Sequence, residues 1–234
     1  MKRAAVIQNC LDVFSGETSY LEIGVRRGVT FRDVRATRKV AVDPEILFDI
    51  GEAKAANPNS TFCPVTSDAF FTEHGRDEKF DVIFLDGLHT FEQTLRDLLN
   101  AIEVLKERGI IIIDDVIPSS YAASLPSAAD AAAVKAAVGE VDAAWMGDVY
   151  KLVWFISEFM PAYTFRSVQE NHGELVMWRS AREPRGRRYT LAEIASLSFC
   201  QVVKEKDIFN IVPMADIVRE IAAGLSLPAR RTIG

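Results

Sequence analysis

Short, unbroken apolar runs alternate in the first half of the chain with longer stretches in which apolar and polar residues are mixed. The runs read SYLEIGV, KVAVD, FDVIFLD and GIIIIDD. Continuous apolar runs are typical of strands that are buried on both faces, whereas strands with one solvated face alternate in polarity. The alternation of such runs with helix-like stretches predicts an α/β fold with a doubly wound, mostly parallel sheet.

The clearest predicted helix covers about residues 91–108. Thr90 and Gln93 form a capping-box pattern before it, and Gly109 is expected to end it. Its apolar face is predicted to comprise Leu95, Leu98, Leu99, Ile102 and Leu105. Together with the runs FDVIFLD and GIIIIDD on either side, this helix forms a strand–helix–strand unit. A right-handed crossover would make the two strands parallel in one sheet.

The second half of the chain is less regular. The Ala-rich residues 121–145 are interpreted as a helix or a mobile cover, and a further helix is predicted to start near Asp148. Residues 162–180 read as two strands joined at Asn171–Gly173, which predicts an antiparallel C-terminal hairpin at the sheet edge. A final helical region is expected over about 190–223.

Length and composition favour one globular domain. At 234 residues, with 49% hydrophobic and 26% charged residues, the chain has the values of an ordinary globular protein. We therefore predict a single domain over 1–234, with an N-terminal helix at 3–15, a ligand-binding half at 18–115 and a cover region at 116–234.

Charge and cysteine content exclude several classes of function. The formal net charge of −6 gives no general attraction to nucleic acid or to an anionic membrane. No stretch approaches the roughly 20 apolar residues that a membrane span needs, and the N-terminus is a poor signal peptide. Cys10, Cys63 and Cys200 form neither a disulfide framework nor a zinc knuckle. A cytoplasmic protein with a local small-molecule site is expected, and a homo-oligomer is left open.

A glycine turn after the first predicted strand is the first candidate for binding chemistry. In YLEIGVRRGVTF, Glu22, Gly24 and Gly28 follow the strand, and Asp43 closes the second strand about 20 residues later. In α/β folds this layout holds an adenosine, because the backbone approaches the ligand at the turn and the acid binds the ribose hydroxyls. The alternative is that the glycines serve only a tight turn and close packing.

The details of this turn discriminate between cofactors. Val25, Arg26 and Arg27 separate its two glycines, so the middle glycine that lets backbone amides reach a pyrophosphate is missing. S-adenosylmethionine has no phosphate and carries positive charge, so an acidic E-x-G-x-x-x-G turn suits it better. An NAD-dependent oxidoreductase is therefore the disfavoured alternative.

Several motifs in a fixed order resemble a known family. The chain is similar to class I S-adenosylmethionine-dependent methyltransferases over about residues 10–151. It most resembles the small-molecule methyltransferases associated with glycan or natural-product pathways. The resemblance rests on YLEIGVRRGVTF, VAVDP, VTSDAFF, FDVIFLDGLHTFEQTLRDLLNA, GIIIIDD and GDVYK.

The resemblance implies which residues contact the cofactor. Ser67 or Asp68 is expected near the adenine. The full predicted set of cofactor-binding residues is Glu22, Gly24, Gly28, Asp43, Ser67, Asp68 and Asp86.

Carboxylates end two neighbouring predicted strands, Asp86 after the first and Asp114 with Asp115 after the second. The motifs also resemble the metal-binding strand ends of catechol-O-methyltransferase-type enzymes, which implies that these three residues bind Mg²⁺. The cation would bind a substrate hydroxyl and lower its pKa. In the alternative interpretation no metal is involved, and His89 acts as the general base beside Asp86.

Other polar residues have weaker assignments. Lys151 could reach a substrate, and a solvated lysine is the equally weighted alternative. His172, in the predicted hairpin turn, is given no functional role. A group of arginines could bind an acidic substrate, although a solvated loop is the preferred interpretation: Arg179, Arg182, Arg185, Arg187 and Arg188.

Together these observations predict a Rossmann-like α/β enzyme. The predicted activity is S-adenosylmethionine-dependent O-methylation of a small molecule, with a sugar or natural product as the suggested acceptor. The rivals are an NAD-dependent oxidoreductase and a non-catalytic S-adenosylmethionine-binding protein.

Overall fold

The structure is a computed structural model that describes residues 1–75, 77–171, 173–183 and 188–226. The strands are β1 Ser19–Ile23, β2 Arg38–Val42, β3 Ser60–Cys63, β4 Phe80–Leu85, β5 Leu105–Ile113, β6 Tyr163–Val168, β7 Leu175–Arg179 and β8 Ile211–Val212. The helices are α1 Arg3–Leu11, α2 Val29–Asp33, α3 Ile50–Ala56, α4 Ser67–Ala69, α5 Phe91–Val104, α6 Ala128–Val138, α7 Lys151–Phe159, α8 Leu191–Ala195, α9 Phe199–Lys204 and α10 Met214–Ser226. A π-helical turn, Phe70–His74, continues α4, and a 3₁₀ turn, Lys206–Phe209, follows α9.

Within these residues the strands form one sheet in the order β3-β2-β1-β4-β5-β7-β6-β8. β3, β2, β1, β4 and β5 are parallel. β7 is antiparallel to both β5 and β6, so the predicted C-terminal hairpin is present. It does not form the sheet edge as predicted, because β8 pairs with β6 beyond it. The observed fold, an α/β Rossmann-like domain with a mostly parallel sheet, therefore agrees with the prediction.

Helices cover both faces of the sheet, which explains the unbroken apolar runs. One core cluster contains side chains of α5 and α7 packed on alternate residues of β4 and β5, such as Ile83 and Ile111. The other contains side chains of α1 and α10 packed on the intervening residues, such as Phe84 and Ile112. Because successive strand side chains point to opposite faces, both sets must be apolar.

The boundary of α5 differs from the prediction. Thr90 accepts a hydrogen bond from the Gln93 amide at 3.4 Å, so the predicted cap is confirmed. However, the helix ends at Val104 rather than 108, because Leu105 is extended and pairs with Phe80 at the start of β5. Gly109 therefore lies inside β5. Leu99 is 48% exposed, and the buried face consists of Phe91, Thr94, Asp97, Leu98, Ala101 and Val104.

The first helix is also shorter than predicted. α1 ends at Leu11 rather than 15, and the chain turns at Gly16, whose φ of 87° suits a residue without a Cβ. In the second half, α6 lies within the Ala-rich segment, whereas the helix expected at Asp148 begins at Lys151. Among the described residues, no helix combines the length and apolarity that crossing a membrane requires.

The site follows from this topology. The carboxyl ends of β1, β2, β4 and β5 meet at one edge of the sheet. The residues after these strands are therefore neighbours in space although they are distant in sequence.

Candidate functional site

A cavity of about 670 Å³ opens at the carboxyl edge of the sheet. Its size falls within the range of small-molecule pockets, which is about 300–1,000 Å³. Of the residues predicted to bind a ligand or act in catalysis, it is lined by Gly24, Asp43, Ser67, Asp68, Asp86 and His89. Six of the predicted residues, which are far apart in the sequence, therefore lie on one continuous surface.

Asp43 lies at one end of this cavity, with only 8% of its surface exposed. Its Oδ2 accepts a hydrogen bond from the Arg26 amide at 2.8 Å, and its Oδ1 accepts one from the Glu45 amide at 2.8 Å. The carboxylate thus joins the turn after β1 to the turn after β2. Since a carboxylate has about four acceptor sites, it retains capacity to bind ligand hydroxyls.

Gly24 is required by the packing of the protein itself. Its φ is 93°, and a Cβ at this position would lie 1.9 Å from the carbonyl oxygen of Asp86. The Gly24 amide also donates to the carbonyl of Val42 at 2.8 Å. The turn therefore lies directly against the end of β4, and any side chain is excluded whether or not a ligand is bound.

Gly28 was predicted to bind the cofactor, but it lies outside the main cavity. It precedes α2 with a φ of 66°, and a Cβ would meet the Phe48 ring at 2.7 Å. It does not line the cavity, so its position indicates a packing role.

Glu22 lies beneath the turn and is 2% exposed. It accepts a hydrogen bond from the Tyr20 hydroxyl at 2.6 Å. Burial raises the pKa of Glu22 to about 8, although this hydrogen bond opposes the shift. Glu22 lines a smaller adjoining cavity of about 360 Å³, which shares Gly24 and Asp86 with the main one.

Ser67 and Asp68 form the wall of the cavity at α4. The Gln93 side chain donates to Ser67 Oγ and to Asp68 Oδ1, each at 3.3 Å, and Arg96 pairs with Asp68 at 2.8 Å. Gln93 was predicted to complete a capping box, but these contacts and one to Asp97 engage its side chain instead. α4 is therefore tied to α5.

His89 lies between two carboxylates. Its Nε2 is 3.2 Å from Asp86 Oδ1, and its Nδ1 is 3.1 Å from Asp115 Oδ2. Burial lowers the pKa of His89, but the hydrogen bond to Asp86 and the charges of Asp115 and Asp86 outweigh it, so the pKa is raised above 6.5. The imidazole is thus a stronger base than an isolated histidine.

A segment of the cover region fixes His89 from the other side. The Trp145 indole stacks on the imidazole with centroids 5.2 Å apart, and its carbonyl oxygen is 3.0 Å from Nδ1. Gly147 has a φ of 61°, and a Cβ there would lie 1.6 Å from the His89 carbonyl oxygen. Asp148 accepts a hydrogen bond from the Phe91 amide at 2.6 Å, next to the start of α5. Residues 145–148 therefore clamp the His89 turn.

Lys151 completes this clamp rather than facing the cavity. Its Nζ is 2.8 Å from Asp148 Oδ2 and donates to the Ala195 carbonyl at 2.8 Å. The predicted contact of Lys151 with a substrate is not supported, because both groups hold it away from the main cavity.

The acidic edge differs from the predicted metal site in one residue. Asp86, His89 and Asp115 bring one ligand atom each to within 4.8 Å of one another. Asp114 points to the opposite face of the sheet, where it pairs with the guanidinium of Arg3 from α1. The structure therefore brings together Asp86 and Asp115 of the predicted metal group, with His89 beside them in place of Asp114.

Residues 21–116 match the model of a family described as a methyltransferase domain. The range includes the glycine turn, Asp43, the His89 turn and Asp115. The chain carries a methyltransferase domain. This match agrees with the resemblance of the sequence motifs to class I S-adenosylmethionine-dependent methyltransferases.

Solved structures share the fold of this methyltransferase. A candidate caffeoyl-CoA O-methyltransferase from Staphylococcus aureus aligns with a TM-score of 0.53 at 15% identity, over 77% of this chain and 85% of that chain. The O-methyltransferase TomG from Streptomyces achromogenes, in complex with SAM, aligns with a TM-score of 0.47 at 13% identity. The alignment covers 76% of this chain and 79% of that chain. An O-methyltransferase from Bacillus cereus in complex with SAH aligns with a TM-score of 0.48 at 14% identity. The alignment covers 76% of this chain and 80% of that chain. Only the first alignment supports the fold, and no curated protein sequence matches the chain significantly.

Two arginines of the group at 179–188 make contacts within the protein. Arg182 donates to the carbonyls of Ser157 and Tyr163, at the end of α7 and the start of β6. Arg188 pairs with Glu205 at 2.7 Å. At the residues described, these contacts do not support the alternative of an acidic-substrate site, for which a solvated loop was the preferred interpretation; Arg185, Arg187 and His172 lie outside the described residues.

Sequence reasoning missed Arg3 and Gly147 and gave Trp145 no firm role. The motif GDVYK contributes to the family resemblance, but nothing in its spacing indicates that its glycine packs on His89. Trp154 and Trp178 are buried in the core, whereas Trp145 lines the cavity.

Proposed function

We propose that this methyltransferase transfers a methyl group from S-adenosylmethionine to a hydroxyl oxygen of a small molecule. The observation that carries the proposal is the position of His89, which faces the cavity while two carboxylates hold its imidazole. A sugar or natural product is the proposed acceptor class.

The cavity suits a cationic cofactor. Its lining contains the carboxylates of Asp43, Asp68 and Asp86. When bound, S-adenosylmethionine supplies an electrophilic methyl group on a positively charged sulfur. A dinucleotide would instead bring a diphosphate among these carboxylates, which like charge disfavours. Gly24 and Asp86 both line the cavity, so the backbone of the glycine turn forms part of the surface that a ligand would contact.

His89 is proposed to remove the acceptor proton. With the cofactor bound, transfer of its methyl group to the acceptor oxygen would release the hydroxyl proton, and Nε2 of a neutral His89 would accept that proton in place of its 3.2 Å contact with Asp86. Asp115, 3.1 Å from Nδ1, would stabilise the resulting imidazolium, and the nearby charge of Asp86 would also favour it. A positioned general base contributes a factor of about 10² to 10⁴.

A divalent cation at the same place is the second candidate mechanism. It is favoured by the convergence of Asp86, His89 and Asp115 within 4.8 Å. One imidazole and two carboxylates suit Mn²⁺ or Zn²⁺ better than Mg²⁺, which prefers oxygen ligands. Such an ion would bind the acceptor oxygen and lower its pKa.

Calorimetry with S-adenosylmethionine, S-adenosylhomocysteine and NAD tests the cofactor. We expect the first two to bind and NAD not to bind. Binding of NAD alone would instead support an oxidoreductase. Binding of S-adenosylmethionine without turnover on a broad panel of hydroxylated acceptors would support a non-catalytic binding protein.

Substitution of His89 tests the mechanism. His89→Ala should retain S-adenosylmethionine binding and lose about 10² to 10⁴ in turnover. His74→Ala, at a half-exposed histidine outside the cavity, is the matched control and should retain full activity. Full activity of His89→Ala would exclude the proposed base, and loss of activity with EDTA would favour the metal mechanism.

A further inference from the structure

Acidic side chains crowd the face of the sheet covered by α1. Asp114 is 4% exposed, Glu174 is 0% exposed, and Glu22 is 2% exposed. Ile113 pairs with Leu175, so Asp114 and Glu174 are adjacent residues on the neighbouring strands β5 and β7. Neither carboxylate oxygen of Glu174 has a hydrogen-bond partner among the described residues.

This crowding disfavours full ionisation of the acids. Burial, followed by the charges of Asp86 and Asp115, raises the pKa of Asp114 well above its usual range. Burial likewise raises the pKa of Glu174 to about 8. A group of acids under such mutual repulsion attracts any cation that can reach it.

The chain supplies that cation itself. The Arg3 guanidinium pairs with Asp114 through Nε, and its Nη2 lies 3.8 Å from Asp115 Oδ1. Arg3 therefore bridges the acids on the two faces of the sheet, and its charge lowers the pKa values of both Asp114 and Glu174. The guanidinium also lines both cavities at the edge of the sheet.

A guanidinium cannot leave this position by losing its proton. The guanidinium of an arginine stays protonated in proteins, and that of Arg3 is held between Asp114 and Asp115. A divalent ion that used Asp115 would therefore meet a permanent positive charge beside its ligand. Arg3 also keeps Asp114 from contributing an oxygen to such an ion.

We infer that Arg3 takes the place of a metal ion at this edge, so that the methyltransferase works without a divalent cation. The catalytic part of this inference rests on the proposed function, whereas the exclusion of the metal does not. Removing the guanidinium is expected to turn the acidic edge into a divalent-metal site.

Calorimetric titration with MnCl₂, in the absence of acceptor, tests the inference. The unmodified chain should bind Mn²⁺ more weakly than about 1 mM, and Arg3→Ala should bind it at least about tenfold more tightly. Asp115→Ala added to Arg3→Ala should abolish the gain. Lys2→Ala, at an exposed cation next to Arg3, is the matched control and should leave Mn²⁺ affinity unchanged.

Two results would overturn the inference: tight Mn²⁺ binding by the unmodified chain, or no gain in a folded Arg3→Ala. If Arg3→Ala does not fold, as judged by circular dichroism, Arg3→Gln replaces it, because glutamine is uncharged but still donates to Asp114. Binding of S-adenosylmethionine is measured on the same samples. Its absence would contradict the proposed function without affecting the Mn²⁺ result.

Discussion

The imidazole of His89 lies on the indole of Trp145, with the two ring planes inclined by only 26°. Trp145 also donates from Nε1 to the Leu125 carbonyl at 2.7 Å, which anchors it within the cover region. The orientation of the candidate base therefore depends on Trp145, outside the family-matched range of 21–116, as well as on Asp86 and Asp115 inside it.

Truncating Trp145 should impair turnover more than cofactor binding. We expect Trp145→Ala to lower kcat by about tenfold, because His89 loses a stacking partner and its orientation becomes less defined. Trp145→Phe retains an aromatic face and should recover most of the activity. Calorimetry should show S-adenosylmethionine affinity within about threefold of the unmodified chain, since the stacking contact that is lost is with His89. Equal losses in kcat and in affinity would contradict a positioning role.

Substitution of Gly24 should destabilise the protein itself. Gly24 and Gly16 have similar φ values of 93° and 87°, but only Gly24 has backbone atoms within 4 Å of the point that a Cβ would occupy. Gly24→Ala should therefore lose at least about 3 kcal/mol of unfolding free energy, and Gly16→Ala only about 1–2 kcal/mol of backbone strain. Urea denaturation without ligand provides the measurement. Equal losses for the two variants would show that the contact with Asp86 is unimportant.

Asp43 should contribute both to cofactor affinity and to the shape of the turn. Asp43→Ala is expected to weaken S-adenosylmethionine binding by more than about tenfold, because charge-assisted hydrogen bonds are worth roughly 1.5–3 kcal/mol each. Asp49→Ala removes the cap of α3 outside the cavity, and its affinity should be unchanged. Calorimetric titration of both variants with S-adenosylmethionine measures these affinities. Unchanged affinity of a folded Asp43→Ala would exclude Asp43 from the site.

Glu22 should make stability fall as pH rises from about 4.5 to 8. Its folded-state pKa of about 8 exceeds the usual 4.5, mainly through burial and then the charge of Asp86, while Tyr20, Lys39 and Arg3 oppose the shift. The folded state therefore holds a proton that the unfolded state releases in this window, and the unfolding free energy decreases by up to about 1.4 kcal/mol per pH unit.

Glu22→Gln tests this dependence, because glutamine keeps an acceptor for the Tyr20 hydroxyl without an ionisable group. Urea denaturation at several pH values should show a shallower decrease for Glu22→Gln. Glu17→Gln, at an exposed position, should retain the slope of the unmodified chain. An unchanged slope in Glu22→Gln would mean that Glu22 does not carry the proton.

The sequence predicted the parts of the site that depend on local pattern. The apolar runs place Asp86 and Asp115 at the ends of neighbouring parallel strands, and their contacts with His89 follow from that order. The Thr90 cap was likewise predictable, since capping chemistry is local.

Contacts between distant segments could not be predicted from the sequence. The extension of Leu105 into β5 depends on its pairing with Phe80, which overrides the helical pattern around it. The position of Gly147 against His89 and the pairing of Arg3 with Asp114 join segments without sequence proximity. The spacing of apolar residues along the sequence carries no information about such contacts.

The pairing of Arg3 with Asp114 also constrains the order of folding. During synthesis α1 leaves the ribosome long before β5, so its arginine has no partner while the first strands form. Glu174 is still later in the chain, and contacts between such distant segments form slowly. The N-terminal helix should therefore dock last, and amide exchange in α1 should remain fast until the sheet is complete.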